Sequence, residues 1–249
     1  MNFEHVLAKR TNKVIYKDGD KVYKVFNKSY SKSNILNEAL NLARVEPLDI
    51  NVPKILGVTM QNDKYIIITE YIEGKTLSDM IKENPHKLSE YIYVFIQLQL
   101  DIHSLKSTDM PDMKEKFKRK INNSDLSDAI KYELNIHLDG MPKHNKLCHG
   151  DFHPSNIIFT NEGVPYILDW AHVTCGNGSA DVANTYLNFI LDGENQIAEE
   201  YLNQYCEITC TTRKYIEKWV RIAAAIQYTR NIVSQRELLL SMVDVMEFF

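Results

Sequence analysis

The strand signals of this chain gather in roughly its first seventy residues, and helical signals fill most of the remaining length. A hydrophobic period that changes once along the chain restricts it to an α+β arrangement with segregated parts. In the first part, "KVIYKDGDKVYKVF" holds two β-rich runs, Val14–Tyr16 and Val22–Phe26, around the hairpin signal Asp18-Gly19. "EHVLAK" reads as a strand turning at Arg10-Thr11-Asn12, and "VPKILGV" and "KYIIITEYI" read as two more. Between them, Ile35, Ala39, Leu40, Leu42 and Ala43 recur at helical spacing, with serines to cap the start and Pro47 to close the helix. About five antiparallel strands and one helix are therefore expected over residues 1–73.

Gly74 marks the expected boundary, and residues 74–249 read mainly as helices. "KTLSDMIKEN" opens with a Thr-x-x-Asp cap. "LSEYIYVFIQLQLDIHSL" is apolar enough for a buried central helix, and "SDLSDAIKYELNIHL" is amphipathic. "RKYIEKWVRIAAAIQYTRNIV" is the clearest helix of the C-terminal stretch. One β-hairpin interrupts this half, formed by "NIIF" and "VPYILDW" around Asn161-Glu162-Gly163.

The 249 residues suffice for one large domain or two small lobes, and 44% apolar with 25% charged content is ordinary for a soluble protein. A net charge of −4 lacks the basic excess that nucleic acid or anionic membrane partners require, so neither is expected. "MNFEHVLAKR" has no signal-peptide core, and no apolar run is long enough to span a bilayer, so a cytoplasmic location is expected. Cys148, Cys175, Cys206 and Cys210 lack disulfide-framework spacing and read as buried free thiols.

The densest chemistry lies in "HGDFHPSN". Asp151 and Asn156 sit on a loop stiffened by Pro154, and the following hairpin would return Asp169 to Asn156. Asn156 and Asp169 offer hard oxygen donors suited to Mg²⁺, leaving Asp151 to accept a proton from a nucleophile. Lys24 lies mid-strand between Tyr23 and Val25, so its ammonium needs a carboxylate or phosphate partner, and Glu38 on the next helix is the natural one. A base, two metal ligands and an ion-paired lysine are the parts of phosphoryl transfer from a nucleotide. Zinc held by His149, Asp151 and His153 is a competing reading, but it leaves Asn156, Asp169 and Lys24 unexplained. A plain polar turn is the blandest one.

"HGDFHPSNIIF…ILDW" resembles the aminoglycoside phosphotransferase and choline kinase superfamily, small-molecule relatives of the protein kinases. "VYKVF", "NEALNLARVE", "ITEYIEGKTL" and "DIHSL" fall in that family's order, so the likeness spans most of the chain. It implies a bilobal protein-kinase-like fold, with a small β-rich N-lobe ending in a hinge and a larger helical C-lobe. It also implies roles. Asp151 would be the base, with His153 near the γ-phosphate; Asn156 and Asp169 would hold Mg²⁺. Lys24 would contact the phosphates of ATP or GTP, fixed by Glu38. The backbone at Glu70 and Ile72 would bind the base, between Val22 and Ile158. His149 would anchor the loop, and Asp181 would be structural.

The chain departs from the family at the phosphate loop, where "KRTNK" has no glycine, and at Asp169-Trp170-Ala171, where protein kinases have Asp-Phe-Gly. No Ala-Pro-Glu segment is found, which favours a small-molecule hydroxyl acceptor over a protein. From Trp170 onward ten acids face six bases, which suits a cationic acceptor such as an aminoglycoside or choline; a neutral sugar or amino alcohol is the alternative. The glycine-free loop motivates a second alternative, a nucleotide-binding pseudokinase or regulatory module. The expected oligomeric state is a monomer or weak dimer. His103 reads as a helix-end histidine beneath the loop, Trp170 and Trp219 as core rather than a substrate stack, and "KEKFKRK" as a solvated helix face, with anion binding as the alternative.

Overall fold

The computed structural model describes residues 5–106 and 109–243. In chain order these form β1 (His5–Lys9), β2 (Lys13–Asp18), β3 (Lys21–Phe26), α1 (Lys32–Val45), β4 (Ile55–Gln61), β5 (Lys64–Glu70), β6 (Lys75–Thr76) and α2 (Leu77–Glu83). Next come α3 (Leu88–Ser104), α4 (Met113–Asn122), α5 (Asp128–Gly140), β7 (Lys146–Cys148), β8 (Ile157–Phe159), β9 (Pro165–Ile167) and β10 (Thr174–Gly176). The described chain ends with α6 (Gly178–Leu191), α7 (Asn195–Thr209), α8 (Arg213–Tyr228) and α9 (Arg236–Val243). The expected α+β class holds, with strands concentrated early and helices late.

Two compact units emerge, Met1–Glu83 with Pro154–His172, and Asn84–His153 with Val173–Phe249. A single cut after residue 73 does not reproduce this division. The second hairpin goes with the first unit because β6 pairs with β8, and β8 with β9, so backbone hydrogen bonds carry it there. Gly74 permits this pairing: a Cβ on it would lie 2.1 Å from the Phe159 carbonyl oxygen.

In the first unit the five-stranded antiparallel sheet runs β1-β2-β3-β5-β4. Asp18–Gly19 makes the expected hairpin, with Gly19 at φ 57°, and the register pairs Ile15 with Lys24 and Lys13 with Phe26. Paired residues share a face, so Lys13, Val22, Lys24 and Phe26 project to one side. Phe26, Ile35, Ala39 and Ile67 form the core between sheet and α1. The serine cap expected for α1 is not made, because the Ser31 hydroxyl is engaged with Ser33 at 2.6 Å. α2 does carry its cap: Thr76 Oγ1 accepts from the Asp79 amide and donates to the Asp79 carboxylate.

The second unit is built on α3, whose face Ile92, Phe95, Ile96, Gln99, Ile102 and His103 is buried. Phe95 stacks on Phe152 at 4.5 Å and meets Phe189 and Tyr201 edge-on. Trp219 is buried as expected. All four cysteines are free, but only Cys148 is fully buried; Cys210 is exposed because it takes the left-handed C-cap of α7 at φ 54°. No helix among the described residues is long and apolar enough to cross a membrane.

Candidate active site

The first unit gathers one group of charges. Lys24 on β3 donates to Glu38 Oε1 at 2.8 Å and approaches Asp169 Oδ1 at 3.5 Å. The expected Lys24–Glu38 pair is therefore formed, but it is not a simple pair. Lys13 donates to both Glu38 oxygens, at 3.0 and 3.2 Å, and lies 3.6 Å from Asp169 Oδ2. Two lysines thus bracket two carboxylates. Burial by itself would lower the Lys24 ammonium, but the charges and hydrogen bonds of Asp169 and Glu38 outweigh it and raise the pKa. Lys13 escaped sequence reading because strand register alone sets it beside the Lys24–Phe26 face; it looks like an ordinary strand-end lysine.

Glu38 is held in place by its own helix. Asn41, one turn further along α1 and fully buried, donates to the Ala171 carbonyl at 3.1 Å. Helix α1 is thereby tied to the segment that carries Asp169. Asp169 itself adopts φ 60°, a left-handed conformation that aspartate tolerates better than most residues. Trp170 behind it is buried and donates from its indole to the Ile167 carbonyl at 3.0 Å. The Leu168 amide donates to the Asn156 carbonyl at 2.7 Å, so the hairpin does return the Asp169 segment to Asn156. These are oxygen donors on well-fixed backbone, a set that fits a hard divalent cation.

The other expected nucleotide residues of this unit take definite places. Val22 shares the Lys24 face and pairs with Thr69. Glu70 ends β5, its amide donating to the Lys54 carbonyl at 2.9 Å, and Ile72 is buried just beyond. Ile158 sits on β8 between Thr76 and Tyr166. The glycine-free turn at residues 10–12 is stitched to the end of β3, where the Asn27 amide and side chain donate to the carbonyls of Asn12 and Thr11.

The second unit carries the loop with Asp151 and His153. Asp181 on α6 is its anchor, buried and accepting from the amides of His149 at 3.1 Å and Gly150 at 2.7 Å. Burial would raise the Asp181 carboxyl, but the hydrogen bond and charge of His103, with His149 and the Gly150 amide, hold it below the usual range. His103 Nε2 lies 3.1 Å from Asp181 Oδ2, the loop-supporting place expected of it. A Cβ on Gly178 would meet His103 Nδ1 at 2.8 Å, so only glycine lets α6 approach the histidine this closely. His149 Nδ1 accepts from the Asp151 amide at 3.2 Å, also as expected.

Asn184 and Thr185 bind the carbonyls of Gly150 and Phe152, and Gln227 on α8 donates to Asn184. With Phe152 sunk in the aromatic core, Asp151 is held half-exposed on a rigid support. His153 Nε2 lies 3.3 Å from Asp192 Oδ2, and its ring packs near Phe189. His149, Asp151 and His153 do not form a ligand cluster. The one metal-compatible group among the described residues is buried His103, Cys148 and Asp181, where Asp181 already anchors the loop. The zinc reading therefore fails.

Asp151 has a partner that the sequence did not single out: Arg230 Nη2 lies 3.5 Å from its Oδ1. The "KEKFKRK" helix is also not simply solvated. Lys116 and Lys120 are half-buried, and Lys120 feels the charges of Arg230, Arg119 and Asp151.

Residues 3–219 match the phosphotransferase enzyme family, and the chain belongs to that family. Among curated proteins none matches by sequence. Among solved structures, the chain is similar to the aminoglycoside phosphotransferase APH(4)-Ia in a ternary complex with AMP-PNP and hygromycin B. That match has TM-score 0.71 at 13% identity, covering 96% of this chain and 91% of the other. It is also similar to the choline kinase LicA from Streptococcus pneumoniae, with TM-score 0.63 at 16% identity, covering 98% and 93%. At such identities the likeness establishes a shared fold, the kinase-like α+β fold of these phosphotransferases.

Proposed function

We propose that the protein transfers the γ-phosphoryl group of ATP or GTP to a hydroxyl of a small molecule. The observation that carries this reading is the Lys24–Glu38–Asp169 group, with Lys13 as a second cation. A raised, ion-paired lysine on a strand face suits the phosphates of a nucleotide, and Glu38 keeps its ammonium from wandering. Val22 and Ile158 offer apolar surface to the base, and the backbone at Glu70 and Ile72 offers it hydrogen bonds. The two solved relatives support this by their ligands: APH(4)-Ia with AMP-PNP, and LicA with AMP.

Asn156 and Asp169 would hold Mg²⁺, which when bound neutralises phosphate charge. Asp151 accepts the proton of the acceptor hydroxyl, and its Oδ atoms are kept half-exposed by the loop bonds to Asp181, Asn184 and Thr185. His153, beside Asp192, is the second catalytic candidate, a donor to a γ-phosphoryl oxygen. The pseudokinase alternative rests on the glycine-free turn alone, whereas the phosphotransferase reading is supported by Lys13 and Lys24 lying against Glu38 and Asp169.

Replacing Asp151 with Asn should lower turnover by about 10²- to 10⁴-fold, the usual share of a general base, while nucleotide binding is kept. ADP release in a coupled assay over an acceptor panel, with thermal shift by ATP and GTP alongside, measures both. Full turnover by the variant would remove Asp151 from the mechanism. Nucleotide binding without turnover by the wild-type protein on any acceptor would favour the regulatory module.

A further inference from the structure

Two lysines hold the same pair of carboxylates in the first unit, and their contacts are not equal. Lys13 Nζ lies 3.0 and 3.2 Å from the two oxygens of Glu38, and Lys24 Nζ lies 2.8 Å from Glu38 Oε1. The contacts to Asp169 are longer, 3.6 Å from Lys13 to Oδ2 and 3.5 Å from Lys24 to Oδ1. Glu38 is thus the shared anchor, and Asp169 is the more loosely held member. The Asp169 side chain is also the most exposed of the four, at 31% against 15% for Lys24 and 10% for Lys13. Solvent, and any ligand, reaches the group on the Asp169 side.

Lys13 also sits where the chain departs from a glycine-bearing phosphate loop. It opens β2 directly after the turn Arg10-Thr11-Asn12, and the Arg10 amide donates to its carbonyl at 2.9 Å. Glycines in such a turn let backbone amides close on an anion. This turn has none, and among the described residues positive φ occurs at none of positions 10–12. Asn27 fixes the turn further, its amide and side chain donating to the Asn12 and Thr11 carbonyls at 2.8 and 2.9 Å. Lys13 is fixed as well: it pairs with Phe26 in the sheet, and its ammonium lies 5.5 Å from the centre of that ring. An ammonium at the end of this turn offers an anion the charge-assisted donor that a glycine-bearing backbone would otherwise supply.

We infer that Lys13 is a second phosphate-binding lysine, which together with Lys24 holds the nucleotide phosphates in place of a glycine-rich turn. This rests on the phosphotransferase reading of the same group. Each ammonium has three N–H bonds. Both lysines keep Glu38 as anchor, and each turns a hydrogen from Asp169, its longer contact, to a phosphate oxygen. Charge favours this exchange. Lys24 alone with Glu38 and Asp169 would leave the group with a net negative charge, which repels a phosphate; Lys13 brings it to neutral. The protein therefore binds the phosphates through its own side chains even where no metal assists.

The test is equilibrium binding of ATP and of adenosine to the full chain, by calorimetry in EDTA, so that only protein groups meet the phosphates. Wild-type protein should prefer ATP to adenosine. Lys13→Gln should lower that preference about tenfold, the size of a lost charge-assisted hydrogen bond, and leave adenosine affinity in place. Should Lys13→Gln fail to fold, the double variant Lys13→Gln with Glu38→Gln, which keeps Lys24 balanced by Asp169, is compared with Glu38→Gln alone and should show the same drop. The inference is overturned if the substitution at Lys13 weakens ATP and adenosine alike, the mark of a purely structural role, or if the preference survives it. It is also overturned if wild-type protein in EDTA binds ATP no better than adenosine. Repeating the titration with Mg²⁺ then separates two failures. ATP bound only with the metal removes the role of Lys13 alone, and ATP bound in neither condition removes the phosphotransferase reading with it.

Discussion

Lys24 and Lys116 are both half-buried lysines, and burial alone would push both ammonium groups down. Lys24 ends raised because Glu38 and Asp169 lie against it. Lys116 ends near 7 because burial lowers it first and the charges of Lys120, Arg119 and Arg230 add to the effect. The neighbours decide the direction, and the directions separate two kinds of charged site. The group in the first unit is balanced by the protein's own carboxylates. In the second, burial of Lys116 and Lys120 acts together with the charges of neighbouring cations.

The largest expected effect tests the balanced group. Glu38→Ala leaves Lys13 and Lys24 to share the Asp169 carboxylate, and should cost about 3–5 kcal/mol, as for other broken buried pairs. Urea denaturation measures it; a loss near that of a surface pair would mean that Asp169 alone balances both lysines. The next concerns Asp181, whose carboxylate is held below its ordinary value of 3.8. A depressed carboxylate contributes stability that is complete above 3.8 and is lost as pH falls through the lower folded value. Asp181→Asn should cost about 1.5–3 kcal/mol at neutral pH and remove that part of the acid limb of the stability profile, read by melting temperature against pH.

The smallest expected effect has the opposite sign. Lys116→Met should stabilise the protein by about 0.5–2 kcal/mol near neutral pH, because it removes an ammonium whose burial disfavours its charged form. The pH course comes from the folded value near 7 and the ordinary 10.5. Across that window the unfolded chain binds more protons, so wild-type stability rises as pH climbs from 7 to 10.5, and the Met variant should flatten the rise. A destabilised variant with an unchanged profile would mean that burial does not lower the Lys116 ammonium.

The residues legible in the sequence were those whose signals are local. The hairpin at Asp18-Gly19, the Thr76–Asp79 cap and the loop from His149 to Asn156 each carry their pattern within a few residues. Lys24 and Glu38 were found because a lysine inside an apolar strand demands a partner and the next helix supplies one. Lys13, Asn41 and Arg230 were missed for a common reason. Lys13 reaches Glu38 across 25 positions, Asn41 reaches Ala171 across 130, and Arg230 reaches Asp151 across 79. None of them breaks a local rule, so none announces itself.

The misreading of "KEKFKRK" has the same origin. Along the chain, Lys116 and Lys120 look like any charged helix face. Only packing decides that they lose water and face other cations.

The amino-acid sequence by itself determined the α+β class, the order of the elements and the pairing of Lys24 with Glu38. Periodicity, caps, turns and buried polar residues are local demands that the chain states openly. Tertiary structure alone decided how charge is distributed around those groups: two lysines on one pair of carboxylates, and Arg230 beside Asp151. Counting acids and bases along a segment cannot reveal this, because electrostatic energy depends on distance and solvent exposure, and folding sets both.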